Sequence, residues 1–214
     1  MAIVKAMLAT GTVPDFVVVD GGEGGTGAAP VEFSDHIGMP MREGLLFVHN
    51  VLVGAGLRER IKIGVAGRLI SAFDLAAVLA IGADWANAAR GYMFALGCIQ
   101  SMNCHTNRCP TGVATQDLSR QRALVVPDKA ERVRQFHDQT VKALADMLAA
   151  AGLAHPDELG PHHLSHRVSS TQMKQFDQVH LYLRHRELVS GECQHHFFAE
   201  NWRRAQAESF DAAE

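Results

Sequence analysis

The chain has few cysteines, little excess charge and no long apolar run, and each shortage closes off a class of protein. Four cysteines in 214 residues are too sparse for a disulfide-stapled secreted scaffold. The opening Met1-Ala-Ile-Val-Lys5 lacks a basic segment leading into an apolar core and a cleavage site, so no signal peptide is read there. A reduced, cytoplasmic setting is expected. No apolar run approaches the roughly 18–20 residues a membrane-spanning helix requires. A net charge of −3 with a pI near 6.4 leaves no basic footprint for nucleic acid. What remains has the composition of an ordinary soluble domain, 47% hydrophobic and 20% charged, long enough for one substantial core plus an appendage.

The glycines concentrate before residue 113 and much of the histidine after residue 136, which predicts two dissimilar parts meeting between residues 115 and 130. In the first part, Ala2 to Thr10 reads as a helix stopped by Gly11. Phe16-Val-Val-Val-Asp20 reads as a strand buried on both faces, as in parallel sheets. Residues 42–55 read as a helix ending at Gly56, and 60–66 as the next strand. Ser71 and Asp74 open a helix with a capping-box pair, and Gly82 closes it. Trp85 to Ala89 reads as a third strand. Strands alternating with helices predict a parallel α/β sheet or barrel, with chemistry at the carboxyl ends of the strands. Beyond it, 128–151 reads as one long amphipathic helix, and Ala199 to Glu214 as a frayed tail.

Gly22-Glu-Gly-Gly-Thr-Gly27 matches the dinucleotide pattern G-x-G-x-x-G, but Ala28-Ala-Pro30 comes next where that fingerprint needs a helix. The nucleotide-fold reading is therefore rejected, and the loop is read as a backbone surface suited to an anionic or planar ligand. Gly67 closes the second strand and Asn87-Ala88-Ala89-Arg90 the third. Small residues at successive strand ends suit either tight packing or the close approach of a phosphate, and Arg90 favours the phosphate through a bidentate contact.

Three of the four cysteines fall in one run, Cys98-x5-Cys104-x4-Cys109-Pro110. Thiolates at this density read as ligands of one metal centre, zinc, copper(I) or iron–sulfur. Iron–sulfur runs often end in Cys-Pro, though with tighter spacing. Structural zinc on Cys98, Cys104, His105 and Cys109 is the rival reading, in which the chain is a non-catalytic metal-binding module or an inactive remnant. Buried free thiols are the third. Cys193 is remote and reads as a bystander.

Taken in order, Asp20-Gly-Gly-Glu-Gly-Gly-Thr-Gly-Ala-Ala-Pro30, then Gly82-Ala-Asp84, then Gly97-Cys98 through Cys109-Pro-Thr-Gly-Val-Ala-Thr-Gln116 resemble the FMN-binding synthase domain of glutamate synthase. The likeness is greatest to its stand-alone FMN-binding relatives, and covers roughly residues 1–150. It implies α/β architecture: the C-terminal part of a (β/α)8 TIM barrel, about three to four βα units over 1–125. A mostly helical extension over 126–198 and a disordered tail over 199–214 complete the expected organisation. The resemblance also implies FMN and a 3Fe–4S cluster, the cluster held by Cys98, Cys104 and Cys109. Gly67, Arg68, Ala88, Ala89 and Arg90 would hold the FMN phosphate. Gly24 and Gly25 would face the flavin, with Glu23 and Thr26 as the polar side chains at the catalytic face.

The implied reaction is oxidoreductive formation of L-glutamate, in which FMN reduces the imine of 2-oxoglutarate and ammonia, or another nitrogen donor. An external electron-donor protein or reductase would feed the cluster. No amidotransferase nucleophile is read, since the chain begins Met1-Ala2 rather than with cysteine, and no NAD(P)H motif survives. The first barrel strands have no counterpart, so the chain is expected to be a C-terminal portion whose partner is the missing N-terminal half of the barrel.

Overall fold

Aliphatic, β-branched runs alternate with helices stopped by glycine, and the chain lays three of those runs side by side. The computed structural model describes residues 1–22 and 36–211. Strands β1 (Phe16–Asp20), β2 (Lys62–Ala66) and β3 (Trp85–Asn87) form a parallel sheet in that order. Helix α1 (Ala2–Thr10) precedes β1, α2 (Met41–Ala55) lies before β2, α3 (Ala72–Ile81) links β2 to β3, and α4 (Arg90–Leu96) comes after β3. Two strand boundaries differ from the sequence reading. The second strand begins at Lys62, and the third ends at Asn87, because Ala89 already has helical backbone as the residue before α4.

The central strand carries most of the burial. Ile63 and Val65 are fully buried, and between them Gly64 faces the indole of its neighbour Trp85, which fills the space a side chain would need. Leu45 and Leu52 of α2 and Val78 and Ile81 of α3 close over the sheet, with no more than 2% of their surface exposed. Helix α3 starts as its sequence dictates. Ser71 Oγ accepts from Asp74 N–H at 3.2 Å, and the Asp74 carboxylate accepts from Ser71 N–H at 2.9 Å. Asp84, at the head of β3, accepts from Ile63 N–H and Arg58 Nη2 at 2.7 Å each and from Lys62 Nζ at 2.9 Å. Burial would push its carboxyl up, but these donors hold it below the usual carboxylate range.

The second part of the chain packs back on the first. A short α5 (Leu118–Gln121) leads to the long α6 (Val126–Ala150), which lies against α3 and α4. The sequence reads 126–198 as mostly helical, whereas beyond α6 the structure contains an antiparallel pair, β4 (Ser165–Arg167) with β5 (Met173–Gln175), and a short α7 (Phe176–Val179). Asn50, a buried residue of α2, ties this region down. Its Nδ2 donates to the Leu46 and Leu181 carbonyls at 2.9 Å, and its Oδ1 accepts from Leu183 N–H at 2.7 Å.

The stretch read as a frayed tail begins instead inside a nine-residue helix, α8 (His196–Arg204). Phe198 of α8 is buried and stacks on Phe47, with ring centroids 6.0 Å apart. Lys5 of α1 caps the helix end, donating to the Ala205 carbonyl at 2.7 Å and lying over the Trp202 ring. A helix this short is marginal alone, so its contact with α1 and α2 is what holds it. No described helix is long and apolar enough to cross a membrane.

Candidate functional site

The carboxyl ends of the three parallel strands lie in register, Asp20 beside Ala66 and Ala66 beside Asn87. All three line one cavity of about 280 Å³, near the lower end of the range for small-molecule pockets. The turns after β2 and β3 supply its rim, through Gly67, Arg68, Ala89 and Arg90. Met93 and Phe94 of α4 form an apolar wall, and the loop after α4 contributes Cys98, Gln100, Met102 and Cys104.

The rim is built on unusual backbone. Gly67 has φ +144°, and a Cβ there would stand 2.9 Å from Met41 Cβ, so only glycine fits the turn. Arg68 comes next at φ +45°, left-handed for a residue with a full side chain, at a cost on the order of 1 kcal/mol. Gln100, Met102 and Asn107 are also left-handed, and only Arg186 shares that conformation among the other described non-glycine residues. Strain of this kind is thus gathered at the cavity and the loop beside it.

The cysteine loop leaves α4 through Gly97, and Cys98 N–H bonds back to the Met93 carbonyl at 2.9 Å. Cys98 and Cys104 are half-buried on the cavity wall, while Cys109 is buried outside the main core cluster. Burial pushes the Cys109 thiol up. The Thr111 hydroxyl, 3.5 Å from the sulfur, and the backbone N–H groups of Ala114, Thr111 and Val113 outweigh that and bring it down to about 7. All four cysteines are free thiols.

The donor chemistry therefore suits a thiolate-ligated centre, with three soft sulfurs on one loop, Cys98 Sγ accepting from Gln100 N–H and Cys109 Sγ beside the Thr111 hydroxyl, at 3.5 Å each. Among the described residues, however, no three His, Cys, Asp or Glu side chains stand together as a metal-binding group. The fit is one of ligand type, not of assembled geometry.

Of the residues the sequence singled out, Gly67, Arg68, Ala89, Arg90, Cys98 and Cys104 converge on one cavity. Ala88 does not, since it packs against the hydrophobic core. Cys109 lies off the cavity lining. Glu23, Gly24, Gly25 and Thr26 fall outside the described residues. Sequence reasoning missed Gln100 and Met102 on the wall and Asn107 in the loop, whose left-handed backbone has no reliable signature outside glycine.

Residues 1–154 match the family model described as the conserved region in glutamate synthase. A glutamate synthase large subunit-like protein of Bacillus subtilis, YerD, is 40% identical over 173 residues, covering 81% of this chain and 33% of the relative. The ferredoxin-dependent glutamate synthase 1 of Arabidopsis thaliana is 42% identical over 102 residues, covering 48% of this chain and 6% of the relative. The NADPH glutamate synthase large chain of Azospirillum brasilense is 33% identical over 157 residues, covering 72% and 10%. The chain thus spans a third or less of the length of these relatives. A mutant flavocytochrome b2 with pyruvate bound superposes on 75% of the chain and 37% of its own at 15% identity, with a TM-score of 0.40, a likeness too slight to build on.

Proposed function

The chain belongs to the glutamate synthase family, an oxidoreductase family whose conserved region it matches over residues 1–154, and from that premise we propose that its strand-end cavity binds FMN for the formation of L-glutamate from 2-oxoglutarate and ammonia. The observation that carries this reading is the division of one cavity into two chemistries. Gly67, Arg68, Ala89 and Arg90 form a basic rim with close backbone approach, and Met93, Phe94 and Met102 form an apolar wall. A flavin nucleotide has the same division, phosphate at one end and a largely apolar ring at the other.

In this reading Arg68 and Arg90 bind the phosphate, and Gly67 admits it against the backbone. Met93, Phe94 and Met102 exclude water from the ring, which strengthens every polar contact made there. Asp20 and Asn87, at the floor, offer an acceptor and an amide to orient polar edges of the ring or the 2-oxoacid. Glu23 and Thr26 are assigned to the substrate-facing loop. When bound, FMN would supply the hydride that converts the imine to the amino acid.

Cys98, Cys104 and Cys109 are assigned, on donor chemistry and the family resemblance, to a 3Fe–4S cluster that would supply single-electron transfer. An external donor protein suits that role, since several relatives are named ferredoxin-dependent. The three βα units belong, on this reading, to a (β/α)8 barrel completed by further strands, in a cytoplasmic enzyme.

FMN and riboflavin, titrated separately into the anaerobically purified chain, test the phosphate assignment. FMN binds at least tenfold more tightly than riboflavin in the wild type, and Arg90→Ala removes that preference. Equal affinities in the wild type overturn the assignment. Iron, sulfide and zinc analysis of the same sample decides the cysteine run: iron with sulfide supports the cluster, and zinc alone replaces it with a structural site.

A further inference from the structure

The segment carrying Cys109 is closed at its base by one side chain. Asn107 Oδ1 accepts from Gln116 N–H at 2.6 Å and lies 2.9 Å from Thr115 Oγ1, and the Thr115 hydroxyl reaches the Asn107 carbonyl at 2.6 Å. Side chain and backbone of a single residue thus grip the chain eight and nine positions on.

The far end of the grip is itself anchored. Thr115 accepts from Asp117 N–H through Oγ1 at 3.1 Å and from Gln121 Nε2 through its carbonyl at 2.8 Å, and Asp117 caps α5 through Ser119 N–H at 2.8 Å. Inside the loop, Gly112 turns at φ +76°, where a Cβ would run into the Arg120 carbonyl. The loop therefore passes within contact of α5 at Gly112.

Two facts make the grip consequential. Asn107 is exposed, while Cys109, two residues on, is buried outside the core cluster. The Thr111 hydroxyl, 3.5 Å from the sulfur, lies on the stretch whose ends Asn107 and Thr115 join. Asparagine also suits the place, because Asn107 sits at φ +61° and asparagine tolerates the left-handed region better than other side chains.

We infer that Asn107 is a positioning residue for Cys109: it shuts the loop from 107 to 116 so that this sulfur is held in one place for the cluster. The inference rests on the cluster reading of the cysteine run. It assigns to Asn107 the part that outer partners play around metal ligands, where their loss costs about 10–100-fold in metal affinity.

Three versions of the full chain, purified anaerobically, test it. Asn107→Asp keeps both the tolerance for left-handed backbone and an accepting oxygen, whereas Asn107→Gly keeps the backbone and loses the acceptor. Amide hydrogen exchange at 111–114 is expected to rise about tenfold in the glycine variant, and iron release to a chelator to quicken about tenfold. The aspartate variant should match wild type in both, with melting temperatures of all three alike. Unchanged exchange in the glycine variant overturns the inference, as does faster exchange with unchanged iron release, which would make the grip merely structural. An aspartate variant as impaired as the glycine one overturns it too. A wild-type chain that takes up no iron fails the cluster reading instead, and the exchange data alone then decide whether Asn107 holds Cys109.

Discussion

His49 lies on α2 with its ring against Gly82, where a Cβ would collide with the imidazole, and with Nδ1 3.4 Å from Arg58 Nε. Burial lowers its pKa, the Arg58 guanidinium lowers it further, and the Gly82 backbone and Asp84 carboxylate only partly oppose them, leaving it at about 4. The same imidazole titrates near 6.5 in an unfolded chain. Between those values the unfolded chain carries a proton that the folded one does not, so stability is retained above about pH 6.5 and lost as pH falls toward 4. The full effect approaches about 3 kcal/mol. Urea midpoints at about pH 7 and about pH 5 are expected to fall further in wild type than in His49→Gln. An identical fall in both would show that His49 is solvated and titrates normally.

Helix α4 has only seven residues, too few to hold its own shape in water, yet it brings Arg90, Met93 and Phe94 to the cavity. Its position comes from α6. Tyr92 meets Phe136 edge-on at 5.1 Å, and a Cβ on Gly91 would stand 2.7 Å from Phe136 Cζ. Gly91→Ala therefore has to push the two helices apart, an overpacking worth about 1–3 kcal/mol. The expected result is FMN affinity reduced by roughly tenfold, about 1.4 kcal/mol, in a chain that still melts cooperatively. Adding Phe136→Leu should restore most of the affinity. Unaltered FMN binding in Gly91→Ala would mean that α4 is not placed by this contact.

Legibility in the sequence depends on the range of the interaction at each element. The Ser71–Asp74 box and the glycine stops of α2 and α3 are contacts within a turn of chain, so their residues announce them. Gly67, Ala89 and Arg90 could be grouped from sequence because each follows closely on a strand of one parallel sheet, whose carboxyl ends lie side by side. The Asn107 grip spans eight and nine residues, and the Asn50 bonds reach Leu181 and Leu183; neither leaves a period or motif. Helix α8 escaped notice for the same reason, since its apolar face is explained only by Phe47 and Lys5 far back in the chain.

Over the whole molecule those long-range contacts merge the two compositional parts into one core. Phe176, Leu183, Leu188 and Phe198 belong to the same buried cluster as Val4, Leu45, Ile63 and Val78. Four large apolar side chains at about 2 kcal/mol each contribute on the order of 8 kcal/mol, comparable with the whole stability of a typical domain. The glycine-rich part and the histidine-rich part should therefore unfold together, and the chain has two built-in reporters to check it. Its two tryptophans stand at opposite places: Trp85 on β3, edge-on to Phe16 at 5.4 Å, and Trp202 on α8, packed against the core cluster beneath Lys5. Trp85→Phe leaves fluorescence that reports on α8, and Trp202→Phe leaves fluorescence that reports on the sheet. Each fluorescence trace is expected to coincide with the circular dichroism transition of the same variant in urea, because coincident probes are the mark of a single cooperative unit. A Trp202 signal lost at lower urea than the helical signal, in the variant that lacks Trp85, would show that the C-terminal region comes away first and that the sheet with its cavity stands without it.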